Sequence, residues 1–72
     1  MTYMYKTHRE SDGCLVDFGR TQTAGEKVAI GLVAVLVGKD GVCAVTGEAC
    51  GNEGMQRYRI WSDAEVFTVT FT

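Results

Sequence analysis

The stretch Thr23-Ala24-Gly25-Glu26-Lys27-Val28-Ala29-Ile30-Gly31-Leu32-Val33-Ala34-Val35-Leu36-Val37-Gly38 decides the fold. Thr23 and Glu26 have the spacing of a capping box, in which the threonine hydroxyl accepts from a first-turn amide and the glutamate reaches back. Gly38 follows the last apolar residue, where a helix turns into the left-handed conformation at its end. These signals predict a helix over Ala24–Val37. The competing reading is a buried strand, because Val28, Ile30, Val33, Val35 and Val37 are β-branched and fit sheets better than helices. Leu32–Val37 would then pair with Val42–Thr46 through Lys39-Asp40-Gly41. The run is too long for most buried strands and is flanked by cap signals, so the helix is preferred.

Working outward, Tyr3–Thr7 reads as a strand, Ser11-Asp12-Gly13 as a tight turn, and Cys14–Phe18 as the returning strand. Alternation puts Cys14, Val16 and Phe18 on one face, the expected core side, with Asp17 opposite. Beyond the helix, Val42–Thr46 is a short strand and Gly47–Gly54 a loop by composition. Met55–Ser62 alternates, with Tyr58 and Ile60 inward and Arg57, Arg59 and Trp61 outward. Ser62-Asp63-Ala64 marks a turn. Glu65–Thr72 closes the meander, carrying Phe67, Val69 and Phe71 on one face. The chain is expected to be a single α+β domain over residues 1–72, in the order β-β-α-β-β-β, with its single helix packed on a mostly antiparallel sheet.

The chain has 72 residues, 46% of them hydrophobic, which is too apolar for a disordered segment and too short for a deep two-lobed active site. Its net charge of −2 argues against nonspecific attraction to nucleic-acid phosphate or anionic lipid. No apolar run approaches the roughly 18 residues that cross a bilayer. The first ten residues lack the apolar core and cleavage site of a secretory signal, and three cysteines at irregular spacing suit a reducing compartment. A cytoplasmic protein is expected, with no membrane partner.

The helix lacks a polar face after Lys27. With Val28, Leu32, Val35 and Leu36 on the sheet, Ile30, Gly31, Ala34 and Val37 fall on the outward stripe, a candidate self-association surface for a homodimer. The competing account is that another part of the chain folds over this stripe. Arg57, Arg59 and Trp61 form a strip whose residue types are enriched at protein interface hot spots, with Glu48 and Glu53 as an acidic rim. Tyr3 and Tyr5 fall near that strip if their strand is its neighbour. The same mixture of guanidinium and ring also suits single-stranded nucleic acid, a less favoured partner here. The bland alternative is a solvated face with ion pairs to Asp17 or Glu65.

His8 and the cysteines do not make a metal site: six residues separate Cys43 from Cys50 and no close pair exists. Cys14 and Cys43 read as small buried apolar residues and Cys50 as a loop thiol. The glycines of 47–54 lack the Lys-Ser/Thr and following helix of a phosphate loop. A nucleophile would have to be built on His8, and no spacing supports one. No cofactor and no enzyme activity are expected.

The strand Cys14–Phe18, the lead-in Thr21-Gln22-Thr23-Ala24, the apolar helix ending at Gly38 and the strand–loop–strand unit Val42–Ser62 together resemble, in layout, small phage-encoded inhibitor proteins of the anti-CRISPR type. The resemblance covers most of the chain and is one of layout. It implies a non-enzymatic protein that blocks a host protein or protein complex by occupying a binding surface. The alternatives are a nucleic-acid-binding module using the Arg/Trp face and a structural subunit of a homo-oligomer.

Overall fold

The apolar run is helical in the computed structural model, which describes residues 2–38, 43–49, 56–62 and 65–72. Among these residues the order is β1 (Tyr3–Arg9), β2 (Leu15–Thr21), α1 (Glu26–Val37), β3 (Cys43–Ala49), β4 (Gln56–Trp61) and β5 (Val66–Phe71). This is the expected α+β arrangement. The five strands lie in the order β2-β1-β5-β4-β3 and every neighbouring pair is antiparallel. The two edge strands β2 and β3 therefore run the same way, and α1 carries the chain between them across one face, where it packs on β3 and β4. The last strand does not simply close a meander. It is inserted at the centre of the sheet, between β1 and β4.

That position follows from its side chains. Phe67, Val69 and Phe71 are all buried, and together with Ala29, Val33 and Ile60 they form the core. Each such aliphatic or aromatic side chain removed from water contributes about 1.5–3 kcal/mol, so the strand carrying most of them takes the place covered from both sides. Tyr58 adds an edge-to-face contact with Phe71, at 6.0 Å between ring centres, and donates its hydroxyl proton to Gln56 Oε1.

Two expectations are corrected at the start of the helix. The helix starts at Glu26, with Gly25 as its cap residue and no side-chain cap. Thr23 is not part of a capping box: its amide donates to Thr21 Oγ1, and Thr21 Oγ1 donates to the Thr23 carbonyl. The side-chain hydroxyl of Thr21 thus closes a local turn before the helix. At the other end Gly38 is left-handed, with φ 85°, as its position after Val37 predicts.

The helix meets the sheet through a stripe that only partly matches the expected one. Ala29 and Val33, one turn apart, are fully buried; Val28 and Leu32, expected on the sheet, pack against the core, and so do Ile30 and Val37, expected outward. Val35, expected on the sheet, is 85% exposed. The all-apolar run leaves the helical phase undetermined, and packing of small Ala29 close to the sheet selects it. Of the proposed self-association stripe, Gly31 is exposed and Ala34 half-buried, while Ile30 and Val37 belong to the core margin.

In β2 the expected alternation fails at a bulge. Thr7 pairs with Asp17 but His8 pairs with Leu15, so Val16 and Asp17 together oppose one residue of β1. The extra residue reverses the phase: Phe18 points away from the core and is 68% exposed, and Cys14 is exposed too. The strand β3 runs on through Gly47 and Glu48 to Ala49, beyond the expected Thr46. The remaining positions of the expected loop, including Cys50 and Glu53, lie outside the described residues, as do Lys39-Asp40-Gly41 and Asp63-Ala64.

Candidate functional site: the sheet face opposite the helix

Only one sheet face meets α1. The ladder registers lay out the other as a grid of rows running across the strands. One row holds Phe18, Lys6, Thr70 and Arg57; the next holds Leu15, His8, Thr68 and Arg59; a third brings Val66 beside Trp61. Arg20 and Met4 pair at the far end. Because side chains alternate along each strand, every outward residue of one strand meets an outward residue of the next.

Arg57, Arg59 and Trp61 share this face, as their spacing predicts, with both arginines exposed and Trp61 half-buried. Tyr3 and Tyr5 do not join them. Both lie on the helix side of β1 and pack against the core. Glu48 sits in β3 as the register partner of Arg57, within a strand and not on a loop rim. Lys6, Arg20 and Phe18 are members of the face that sequence spacing missed. Lys6 is legible from the Tyr3-Tyr5-Thr7 alternation, whereas Phe18 is hidden by the bulge.

Arg59 is held in place. Its Nε and Nη2 donate to the two carboxylate oxygens of Glu10, each at 2.9 Å, in a bidentate pair spanning 49 residues of sequence. Glu10 itself is anchored by its amide, which donates to the Val66 carbonyl at 2.9 Å. Hydrogen bonding from Arg59 holds the Glu10 carboxyl below its usual value, and the same bond raises Arg59. Asp17 and Glu65 are not the partners of the arginine strip: Asp17 lies at the bulge, and Glu65 reaches Arg9, at 3.7 Å. Arg9 Nε stands 3.7 Å from Asp12 as well, and Arg9 and Glu65 line a 180 Å³ hollow together with Val16, Leu36, Val37 and Phe67.

Lys6, Arg20 and Arg57 join Arg59 on the outer sheet face, where Glu10 pairs with Arg59 and Glu48 is the register partner of Arg57; Asp17, Glu26 and Glu65 lie at the helix side or the sheet end. Around the cations, Met4 is 44%, Leu15 48% and Phe18 68% exposed. The face offers cations, rings and threonine hydroxyls on a hydrogen-bonded sheet.

Among the described residues no group of His, Cys, Asp and Glu is placed to hold a metal ion, and no helix is long and apolar enough to cross a membrane. No family model, curated protein or solved structure matches the chain.

Proposed function

We propose that this chain is a non-enzymatic binding protein that seats its outer sheet face on an acidic surface of a host protein and acts by covering it. The observation that carries this reading is a cluster of cations among exposed apolar side chains. A chain of net charge −2 gathers Lys6, Arg20 and Arg57, with the Glu10-paired Arg59, around Met4, Leu15 and Phe18 on one sheet face. A partner of opposite charge gains from that pattern in encounter rate and register, while burial of Trp61 and Phe18 supplies affinity. The layout resemblance to small phage-encoded inhibitors supports occlusion as the mode of action, in a cytoplasm.

The test compares wild-type chain with Trp61→Ala and Arg57→Glu in affinity capture from host lysate, with and without nuclease, followed by titration of the captured partner. A stoichiometric protein complex that survives nuclease is expected, weakened by about 2 kcal/mol, or roughly thirty-fold, in Trp61→Ala, with the circular-dichroism spectrum unchanged. A complex indifferent to both substitutions overturns the reading.

The row Phe18-Lys6-Thr70-Arg57, with Trp61 on the same face, favours one second reading, a single nucleic-acid strand laid across the sheet with bases on Phe18 and Trp61. Trp61 is the chain's one tryptophan, so its fluorescence reports binding directly. Quenching by an oligonucleotide at low salt that vanishes as salt rises supports this reading over the first. No quenching at low salt ends it.

A further inference from the structure

Among the described residues β2 is an edge strand, and its composition points to an occupant for that edge. Met4 and Thr72 exchange both backbone hydrogen bonds, at 3.0 and 2.9 Å, which shows that the even-numbered residues of β1 bond toward β5. The odd-numbered residues Tyr3, Tyr5 and Thr7 therefore bond toward their partners Thr21, Gly19 and Asp17 on β2. This leaves the peptide N–H and C=O of Phe18 and Arg20 pointing away from the sheet. No described strand lies beyond them. Such an edge is a template for another strand unless it is blocked.

We propose that two copies of this chain pair β2 to β2, antiparallel, about a two-fold axis at Gly19. Three observations select this occupant and this register. The bulge at Val16 and Asp17 ends the regular ladder on one side and the strand ends at Thr21 on the other, so the regular stretch Asp17–Thr21 has Gly19 at its midpoint. Pairing about Gly19 sets Phe18 of each copy opposite Arg20 of the other, in the positions whose backbone groups point outward. A guanidinium then lies beside a ring that is 68% exposed in the single chain, and it does so twice. Asp17 falls opposite Thr21, so no like charges meet. The interface is isologous, closing at two copies. An axis at Phe18 would instead send Arg20 into the bulge, where the ladder is irregular. Because the axis stands normal to the sheet, the two outer faces join into one continuous surface with both helices on the opposite side.

The proposal shares Phe18 and Arg20 with the outer face but is tested without a partner, under reducing conditions that keep the exposed Cys14 from cross-linking. Sedimentation equilibrium of the full chain is expected to show a concentration-dependent monomer–dimer equilibrium. Phe18→Arg places guanidinium opposite guanidinium and is expected to raise the dimer dissociation constant about ten-fold or more, whereas Phe18→Glu places carboxylate opposite guanidinium and keeps the dimer. Amide hydrogen exchange at Phe18 and Arg20 is expected to slow as concentration rises. A monomer at every concentration overturns the proposal. So does equal loss of the dimer in Phe18→Arg and Phe18→Glu, which marks a merely apolar patch, and so does a dimer broken by Val35→Lys but not by Phe18→Arg, which marks the helix as the interface.

Discussion

The ring of Tyr5 packs directly over Gly19, so close that a β-carbon on Gly19 would stand 2.7 Å from the Tyr5 hydroxyl oxygen and 2.9 Å from its Cε2 and Cζ. The two residues are cross-strand partners in the β1–β2 ladder. Tyr5 is half-buried against the core, so its ring has little room to swing aside. Gly19→Ala is therefore expected to cost about 1–3 kcal/mol, read as a lower urea midpoint. In a Tyr5→Leu background the same substitution should cost much less, because the clashing ring is gone. Equal costs in the two backgrounds would show that the close approach is not what requires glycine.

Two helix glycines are expected to respond with opposite sign. Gly38 ends α1 at φ 85°, a conformation an L side chain resists, so Gly38→Ala should destabilise by about 1 kcal/mol. Gly31 sits mid-helix, exposed, with nothing within 4 Å of a β-carbon placed there. Gly31→Ala should stabilise by roughly 0.5–1 kcal/mol, since alanine has the stronger helix propensity. Thermal unfolding of the pair checks both signs. A destabilised Gly31→Ala would mean that the outward stripe of α1 is occupied in solution.

Thr7 is fully buried and its Oγ1 has no hydrogen-bond partner among the described residues. An unsatisfied buried hydroxyl costs about 1–3 kcal/mol, and valine has nearly the same shape. Thr7→Val is expected to raise the urea midpoint, by about 1 kcal/mol of stability. A lower midpoint would reveal a partner for the hydroxyl.

The Glu10–Arg59 pair sets a pH dependence whose sign can be worked out. The carboxyl titrates below its ordinary value of 4.5 in the folded chain because Arg59 donates to its ionised form. The folded state therefore holds that proton less tightly than the unfolded state. The contribution to stability is complete above the ordinary glutamate value and fades as the pH falls through the lowered one. The pair is exposed, so the effect is small and weakens with salt. Carbon-detected NMR titration of Glu10 should show its midpoint moving up toward 4.5 in Arg59→Gln. An unmoved midpoint would mean that another group holds the carboxylate.

Sequence reasoning reaches local features where one physical constraint dominates. Alternation in Gln56–Trp61 and Val66–Phe71 places Ile60, Phe67, Val69 and Phe71 inward and Arg57, Arg59 and Trp61 outward, because a strand face that is half-buried must be apolar on that side alone. Gly38 marks the helix end for a similar reason: few other residues adopt its backbone conformation. Cys14–Phe18 misleads because a single extra residue at the bulge transfers every later side chain to the other face, and no residue type announces it. The capping-box spacing of Thr23 and Glu26 misleads because the Thr21 hydroxyl takes the Thr23 amide that Glu26 would have reached back to.

What the sequence by itself determines is the element order, the α+β class and the two-sidedness of β4 and β5, since these rest on periodicity and chain punctuation within a few residues. Only the tertiary structure decides that β5 lies at the centre, that Ala29 and Val33 are the helix's contact row, and that Lys6, Phe18 and Arg20 join the arginine strip on one face. It alone pairs Glu10 with Arg59. These depend on contacts between residues dozens of positions apart, chosen by how the largest apolar area is removed from water at once, a global condition that no local pattern encodes.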